Sequence, residues 1–386
     1  MGTATRSVRV PAWVLGLVPL LLVIAGVALF FALDAPGLGE RRGVPAEELA
    51  VERTVLTPNE IALTVRNDGP DPVTIAQVQV NDAFAQFTGA DEPIGRLETA
   101  TVRVSQPWVE GEAYEVALVT STGGTIAHEI PVAVETPEAN AGFFGLMALL
   151  GVYVGVIPVA LGMLWLPWLR RVPPAWLRGL MALTVGLLAF LAVDATLEGF
   201  ELAGEGSQAF GGATLVIVGG MVAYLLLSAV SSWLGRRASG ASALLIAIGI
   251  GLHNLGEGVA IGAAYAVGSL ALGAFLVVGF ALHNTTEGLA IVAPLARDRV
   301  SWRKLIGLGL VAGAPAVLGA WIGAAAFNAS AAAFLFGFGA GAIVQVIATL
   351  VPSLRDDDGR VLHPGAVTGI LAGMALMFAT GLLVTA

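Results

Sequence analysis

Residues 252–261 read LHNLGEGVAI and residues 282–291 read LHNTTEGLAI. The shared pattern is His-Asn-x-x-Glu-Gly: His253, Asn254, Glu257 and Gly258 in one copy, His283, Asn284, Glu287 and Gly288 in the other. A histidine and a glutamate four residues apart project from one face of an α-helix, one turn apart. A turn is predicted near Gly268, 15 residues from each histidine. At about 1.5 Å per residue the two histidines then sit at the same depth on two antiparallel helices. Two imidazoles and two carboxylates would meet at a common point.

The surrounding chain is that of a membrane protein. Of its 386 residues 56% are hydrophobic and only 12% charged, with mean hydropathy +0.84; soluble domains carry about twice that share of charge. Apolar runs of 20 or more residues recur, long enough for membrane spans, and the 50 glycines suit close helix packing in lipid. The absence of cysteine excludes thiolate metal sites, disulfides and cysteine nucleophiles. Ionisable groups at mid-membrane cost roughly 3 kcal/mol each even on lenient scales. Four of them in two helices call for a compensating partner, and a divalent cation is the natural one; interhelical hydrogen bonds and a proton relay are the alternatives. Imidazole nitrogen with carboxylate oxygen suits zinc, iron(II), manganese or cobalt without separating them.

The chain reads as three parts. Residues 1–36 are an N-terminal membrane anchor whose apolar run, Trp13 to Leu33, follows Arg6 and Arg9; a long cleavable signal peptide is the alternative. Residues 45–137 read as an exported all-β domain. Alternation at Ile61-Leu63-Val65, Val73-Ile75, Val78-Val80, Tyr114-Val116-Leu118 and Ile126 to Val134 is separated by turns at Asn67-Asp68-Gly69-Pro70 and Ser121-Thr122-Gly123-Gly124. The apolar phase slips between Ile75 and Val78, which predicts a bulge, and about seven strands suggest an immunoglobulin-like sandwich. Eighteen of the 28 acidic residues lie between Asp34 and Glu138, so the net charge of −9 belongs to this segment. Residues 140–386 hold eight further spans, near 142–168, 176–201, 210–234, 241–265, 269–294, 304–327, 331–353 and 364–385.

With the N-terminus in the cytoplasm, 13 of the 19 Lys and Arg fall in short cytoplasmic segments, from Arg6 and Arg9 to Arg355 and Arg360. The other six, Arg41, Arg42, Arg53, Arg66, Arg96 and Arg103, lie in the exported part. That distribution obeys the positive-inside rule. It predicts a multi-pass protein of the inner or plasma membrane, with the β domain and the C-terminus extracytoplasmic.

HNLGEG and HNTTEG on adjacent membrane helices of an eight-helix core resemble the paired motif of the ZIP (Zrt/Irt-like) family of divalent-metal transporters, over about residues 142–386. The resemblance implies movement of divalent metal towards the cytoplasm through a bundle whose inner helices are the second, fourth, fifth and seventh. It implies a binuclear centre: His253, Glu257, His283 and Glu287 at one position, Asn254, Asn284 and the two bridging glutamates at the other. Three departures qualify it. Gly256 and Thr286 stand where proline is usual, predicting less kinked helices. Ala316 and Thr349 stand where carboxylates are usual, predicting one tight site and a second that is weak or absent.

Asp194, Glu198, Glu201 and Glu205 form one stripe on the second core helix and read as an access route for cations, with Glu205 at the solvated end. Gln345 and Thr349 are candidates to line the pore. His128 shares a strand face with Ile126 and Ile130 and reads as a core or rim residue; His363 and Asp356-Asp357-Asp358 read as parts of a solvated cytoplasmic turn. The function implied is transport of a divalent cation as substrate, zinc first, then iron(II), manganese, cobalt or cadmium, with no catalytic cofactor. Partners are the lipid bilayer and metal ions, with a homodimer as an option and no nucleic acid. The alternative is a membrane metal sensor or non-transporting relative whose site is structural or regulatory. An intramembrane metallohydrolase would need a water-activating base beside an open metal position, and no HExxH occurs.

Overall fold

The computed structural model describes residues 12–33, 45–234, 241–266, 270–326 and 328–385. Arg6, Arg9, Arg41, Arg42, Arg236, Arg237 and the turn expected near Gly268 lie outside them. Two compact units are present, Met1–Pro45 and Ala46–Ala386. The first contains α1 (Ala12–Ala32), apolar throughout, with Leu21, Leu22, Val23 and Ile24 all exposed in succession. Consecutive exposed apolar residues leave no polar face, as lipid solvent requires.

The second unit begins with seven strands: β1 (Leu49–Thr57), β2 (Glu60–Asn67), β3 (Ile75–Val80), β4 (Ala83–Thr88), β5 (Thr99–Ser105), β6 (Tyr114–Thr120) and β7 (Thr125–Ile130). Their order is β1-β2-β5-β4-β3-β6-β7, all antiparallel. Ile61, Leu63 and Val65 alternate inward and are fully buried, as a period of two demands. The β3–β6 register shifts between Ile75 and Gln77, where the apolar phase slips. The last strand is shorter than the expected Ile126–Val134, because Pro131 has no N–H to continue the ladder. Thr54 of β1 and His128 of β7 are joined across the two ends of the strand order, Oγ1 to Nε2 at 2.8 Å.

Among the described residues seven helical stretches are long and apolar enough to cross a membrane, from Ala141–Leu169 to Ala329–Leu354, and Pro364–Ala379 is a shorter apolar piece. The first comprises α2 (Ala141–Gly151), a π-turn (Val152–Val156), α3 (Ile157–Met163) and α4 (Leu166–Leu169). Next come α5 (Pro174–Glu205), α6 (Ala213–Leu234), α7 (Ala241–Ala266) and α8 (Leu270–Val292). The sixth span, expected as one helix, is broken into α9 (Trp302–Gly313) and α10 (Pro315–Ala326), since Pro315 cannot donate to the preceding turn. Then follow α11 (Ala329–Leu350) and α12 (Pro364–Thr385).

Burial separates inner from outer helices. The apolar windows of α5, α7, α8 and α11 are 56%, 72%, 50% and 56% buried, against 33%, 22% and 33% for the first, third and sixth spans. The inner set is the second, fourth, fifth and seventh span. Glycine makes the tightest approaches: a Cβ on Gly258 would strike the Ala316 carbonyl, and one on Gly288 would strike the Val159 carbonyl and lie 2.9 Å from the Gly162 Cα. These contacts set α7 against α10 and α8 against α3 at backbone distance.

Candidate metal centre

α7 presents His253, Asn254 and Glu257 inward, and α8 presents His283, Asn284 and Glu287; all six are buried. Both helices run unbroken through Gly256 and Thr286, where a proline would have loosened them. Glu257 Oε1 lies 2.5 Å from His283 Nε2 and 3.1 Å from His253 Nε2. The imidazole rings are 6.3 Å apart, inclined by 41°. One ligand atom from each of His253, Glu257 and His283 falls within 4.8 Å of the other two. A cation placed among them would meet two nitrogens and one oxygen, a borderline donor set.

Glu287 stands outside that three-residue cluster, although its motif position is the same as that of Glu257. Both of its carboxylate oxygens are buried with no hydrogen-bond partner, and so are Asn254 Oδ1 and Asn284 Oδ1. Unpartnered buried oxygens are rare and costly, and these four, on the same two helices, are hard oxygen donors of the kind a cation takes. The asparagine nitrogens are occupied. Asn284 Nδ2 donates to Glu257 Oε2 at 2.9 Å and to the Val154 carbonyl at 3.1 Å; Asn254 Nδ2 donates to the Ala312 carbonyl at 3.0 Å. Each amide thereby braces a break in a neighbouring span. Pro158 has no N–H to return to the Val154 oxygen, and Ala312 lies just before the Ala314–Pro315 interruption.

A cavity of ≈ 460 Å³ opens on the cluster. Asp194 and Glu198 line it together with His253, Glu257 and His283. Phe280, edge-on to His283 at 5.6 Å, and Met377 of α12 also line it. Neither is legible in the sequence, because an aromatic or Met in an apolar helix carries no local signal of its facing. Glu201 is exposed and absent from this wall. Gln345 is buried, with its Nε2 on Thr349 Oγ1 at 3.2 Å, and neither lines the cavity.

Ala316 is fully buried, and a Cβ on Gly155 would come within 2.7 Å of its own Cβ. There is no room there for a carboxylate. His363 accepts from the Ala366 N–H at 3.3 Å at the start of α12, and Asp356 accepts from Arg360; both belong to the turn between α11 and α12. Burial pushes the pKa of His128 below its ordinary value.

Compared with known families, residues 236–381 match the model described as ZIP zinc transporter. No curated protein matches the chain. The matched stretch contains both copies of the His-Asn-x-x-Glu-Gly motif and so the whole three-residue cluster. Members of that family carry divalent metals across membranes and are not enzymes. Over residues 236–381, which include both motif copies, the chain is similar to the ZIP zinc-transporter family.

Proposed function

We propose that this protein moves a divalent cation of the zinc class across the membrane towards the cytoplasm, and that His253, Glu257 and His283 hold it in transit. The observation that carries this reading is the convergence of those three buried side chains, from two membrane helices, on one point beside a cavity. Asp194 and Glu198 attract the ion and exchange its water for carboxylate oxygen. The two imidazoles, each offering a neutral nitrogen, and Glu257 then bind it tightly enough to select it and loosely enough to release it. Glu287 and the two asparagine oxygens form the second position. With one carboxylate and two neutral amides of its own it binds more weakly than the first.

The orientation follows from charge. Arg170, Arg171, Arg178, Arg297, Arg299, Arg303 and Lys304 mark the cytoplasmic ends, so Glu198 lies on the outer side of the cluster. The reading comprises nine spans, α1 included, with the β domain extracytoplasmic. We assign that domain to the immunoglobulin-like sandwiches. In support, the single seven-stranded order, divided at its β4–β3 pair, gives β1-β2-β5-β4 and β3-β6-β7, the strand orders of the two sheets of a constant-type domain. Tyr114, at the start of β6, accepts from the Val109 N–H at 2.9 Å in the manner of a tyrosine corner.

Uptake of radioactive Zn²⁺ into proteoliposomes tests the function. Wild type should accumulate the metal, and Glu257→Ala should not. Equal uptake by both would sink the mechanism.

A further inference from the structure

The turn Asn67-Asp68-Gly69-Pro70 does more than link two strands. Asp68 accepts from Ser207 Oγ at 2.5 Å and from the Gln208 N–H at 2.7 Å, immediately beyond the outer end of α5. Glu52 of β1 accepts from Asn328 Nδ2 at 3.2 Å, at the outer start of α11. Arg66 holds Glu52 through Nε at 2.6 Å and stacks 5.2 Å over the Phe210 ring. Ser330 Oγ, on α11, donates to the Ser207 carbonyl at 3.4 Å. The β domain is thus fastened to the outer ends of two inner helices at once.

Beneath it lies a cavity of ≈ 730 Å³, roofed by Glu48, Glu52, Asp68, His128 and Glu129 and floored in part by Gly204 of α5 and Ala266 of α7. The cavity at the metal cluster is lined on the same two helices by Glu198 and Ala260. Each pair is six residues apart, about 9 Å along a helix. The two chambers are therefore stacked along α5 and α7. Apolar side chains pack along this stretch: Ala195, Phe336 and Ala340 with Leu202 and Ala260, and Ala203 with Ala333; Ala195, Ala260 and Phe336 also line the lower chamber. Phe336 and Ala333 belong to α11, Leu202 and Ala203 to α5, so parting those helices at their outer ends would loosen this packing. Those are the ends that Asp68 and Glu52 tie together.

We propose that the β domain is a lid over the outer mouth of the metal path, shut by the Asp68 and Glu52 clasps, and that a cation reaches Asp194 and Glu198 only when the lid lifts. This rests on the transport reading above. Each clasp pairs a carboxylate with neutral donors at a partly wet interface, a bond that water replaces readily, so the closure is reversible. The roof also carries Arg53, and Glu52 is paired with Arg66; the acids in excess, Glu48, Asp68 and Glu129, concentrate cations at the threshold.

The chain contains no cysteine, so Asp68→Cys with Ser207→Cys gives a single designed cross-link. Two rates are read with Zn²⁺ as the probe: uptake into proteoliposomes, and binding to the purified full chain by stopped flow against a fluorescent chelator. Oxidation should slow both by about tenfold or more, as expected for a gating element, and reduction should restore them. Asp68→Ala should speed binding. Cross-linking verified by mass with both rates unchanged would overturn the lid, as would failure of the pair to cross-link under oxidant. If the reduced protein binds Zn²⁺ but takes none up, the transport reading fails, and the binding rate alone still decides the lid.

Discussion

Glu257 is the residue on which the cluster turns, because it touches both imidazoles and is itself held by Asn284. Its replacement by Ala should lower Zn²⁺ affinity by more than about 100-fold, beyond the loss usual for an outer-shell partner. Asn284→Ala, which frees Glu257 Oε2 to rotate, should cost roughly 10–100-fold in the same titration calorimetry. An Asn284→Ala protein that bound Zn²⁺ like wild type would show that the amide does not position the carboxylate. These residues were legible in the sequence because a four-residue spacing repeated at matched depth leaves little freedom on a helix. That Glu287 stands apart was not legible. Equivalent motif positions share a helix face, but the facing of that helix towards its neighbours depends on contacts far away in sequence, such as Gly288 against Val159.

Among the elements, seven of the eight core spans expected from hydropathy and length coincide with helices long and apolar enough to cross a membrane, and the inner or outer place of these seven agrees with their burial. The breaks in the first and sixth spans were half readable: Pro158 and Pro315 are plain in the sequence, whereas the donors that satisfy the loosened turns come from α8 and α7. Strands β1, β4 and β5 escaped notice because their apolar alternation is weak; Phe84 of β4 points outward at 71% exposure. The packing of α7 on α10 gives a direct prediction. Ala316→Glu, which restores the carboxylate common at that place in the family, should lower thermal stability in detergent, with an overpacking penalty of roughly 1–3 kcal/mol. Gly155 and Gly258 leave the longer side chain nowhere to go. Unchanged stability together with an extra bound Zn²⁺ by elemental analysis would refute this account.

For the whole molecule, the seat of the β domain on the bundle was invisible in the sequence, since Asp68 in an Asn-Asp-Gly-Pro turn looks like any solvated turn residue. The domain also carries a pH dependence. Burial holds the His128 pKa below its ordinary value, so the folded state favours the neutral ring. That contribution is intact above the unfolded pKa of about 6.5 and is lost as pH falls through the lower, folded value. Limited proteolysis of the β domain should therefore quicken between neutral and mildly acidic pH, and His128→Asn should flatten the part of that slope due to histidine. A variant with the same slope as wild type would assign the effect to the carboxylates. The amide that braces Val154 constrains the chain in a different way. Losing Asn284 strands one carbonyl away from water, at roughly 1–3 kcal/mol, but Pro158→Ala would return an N–H to the same oxygen. The pair should be epistatic: Asn284→Ala should be better tolerated with Pro158→Ala than alone, so related chains would be expected to change the two positions together or not at all.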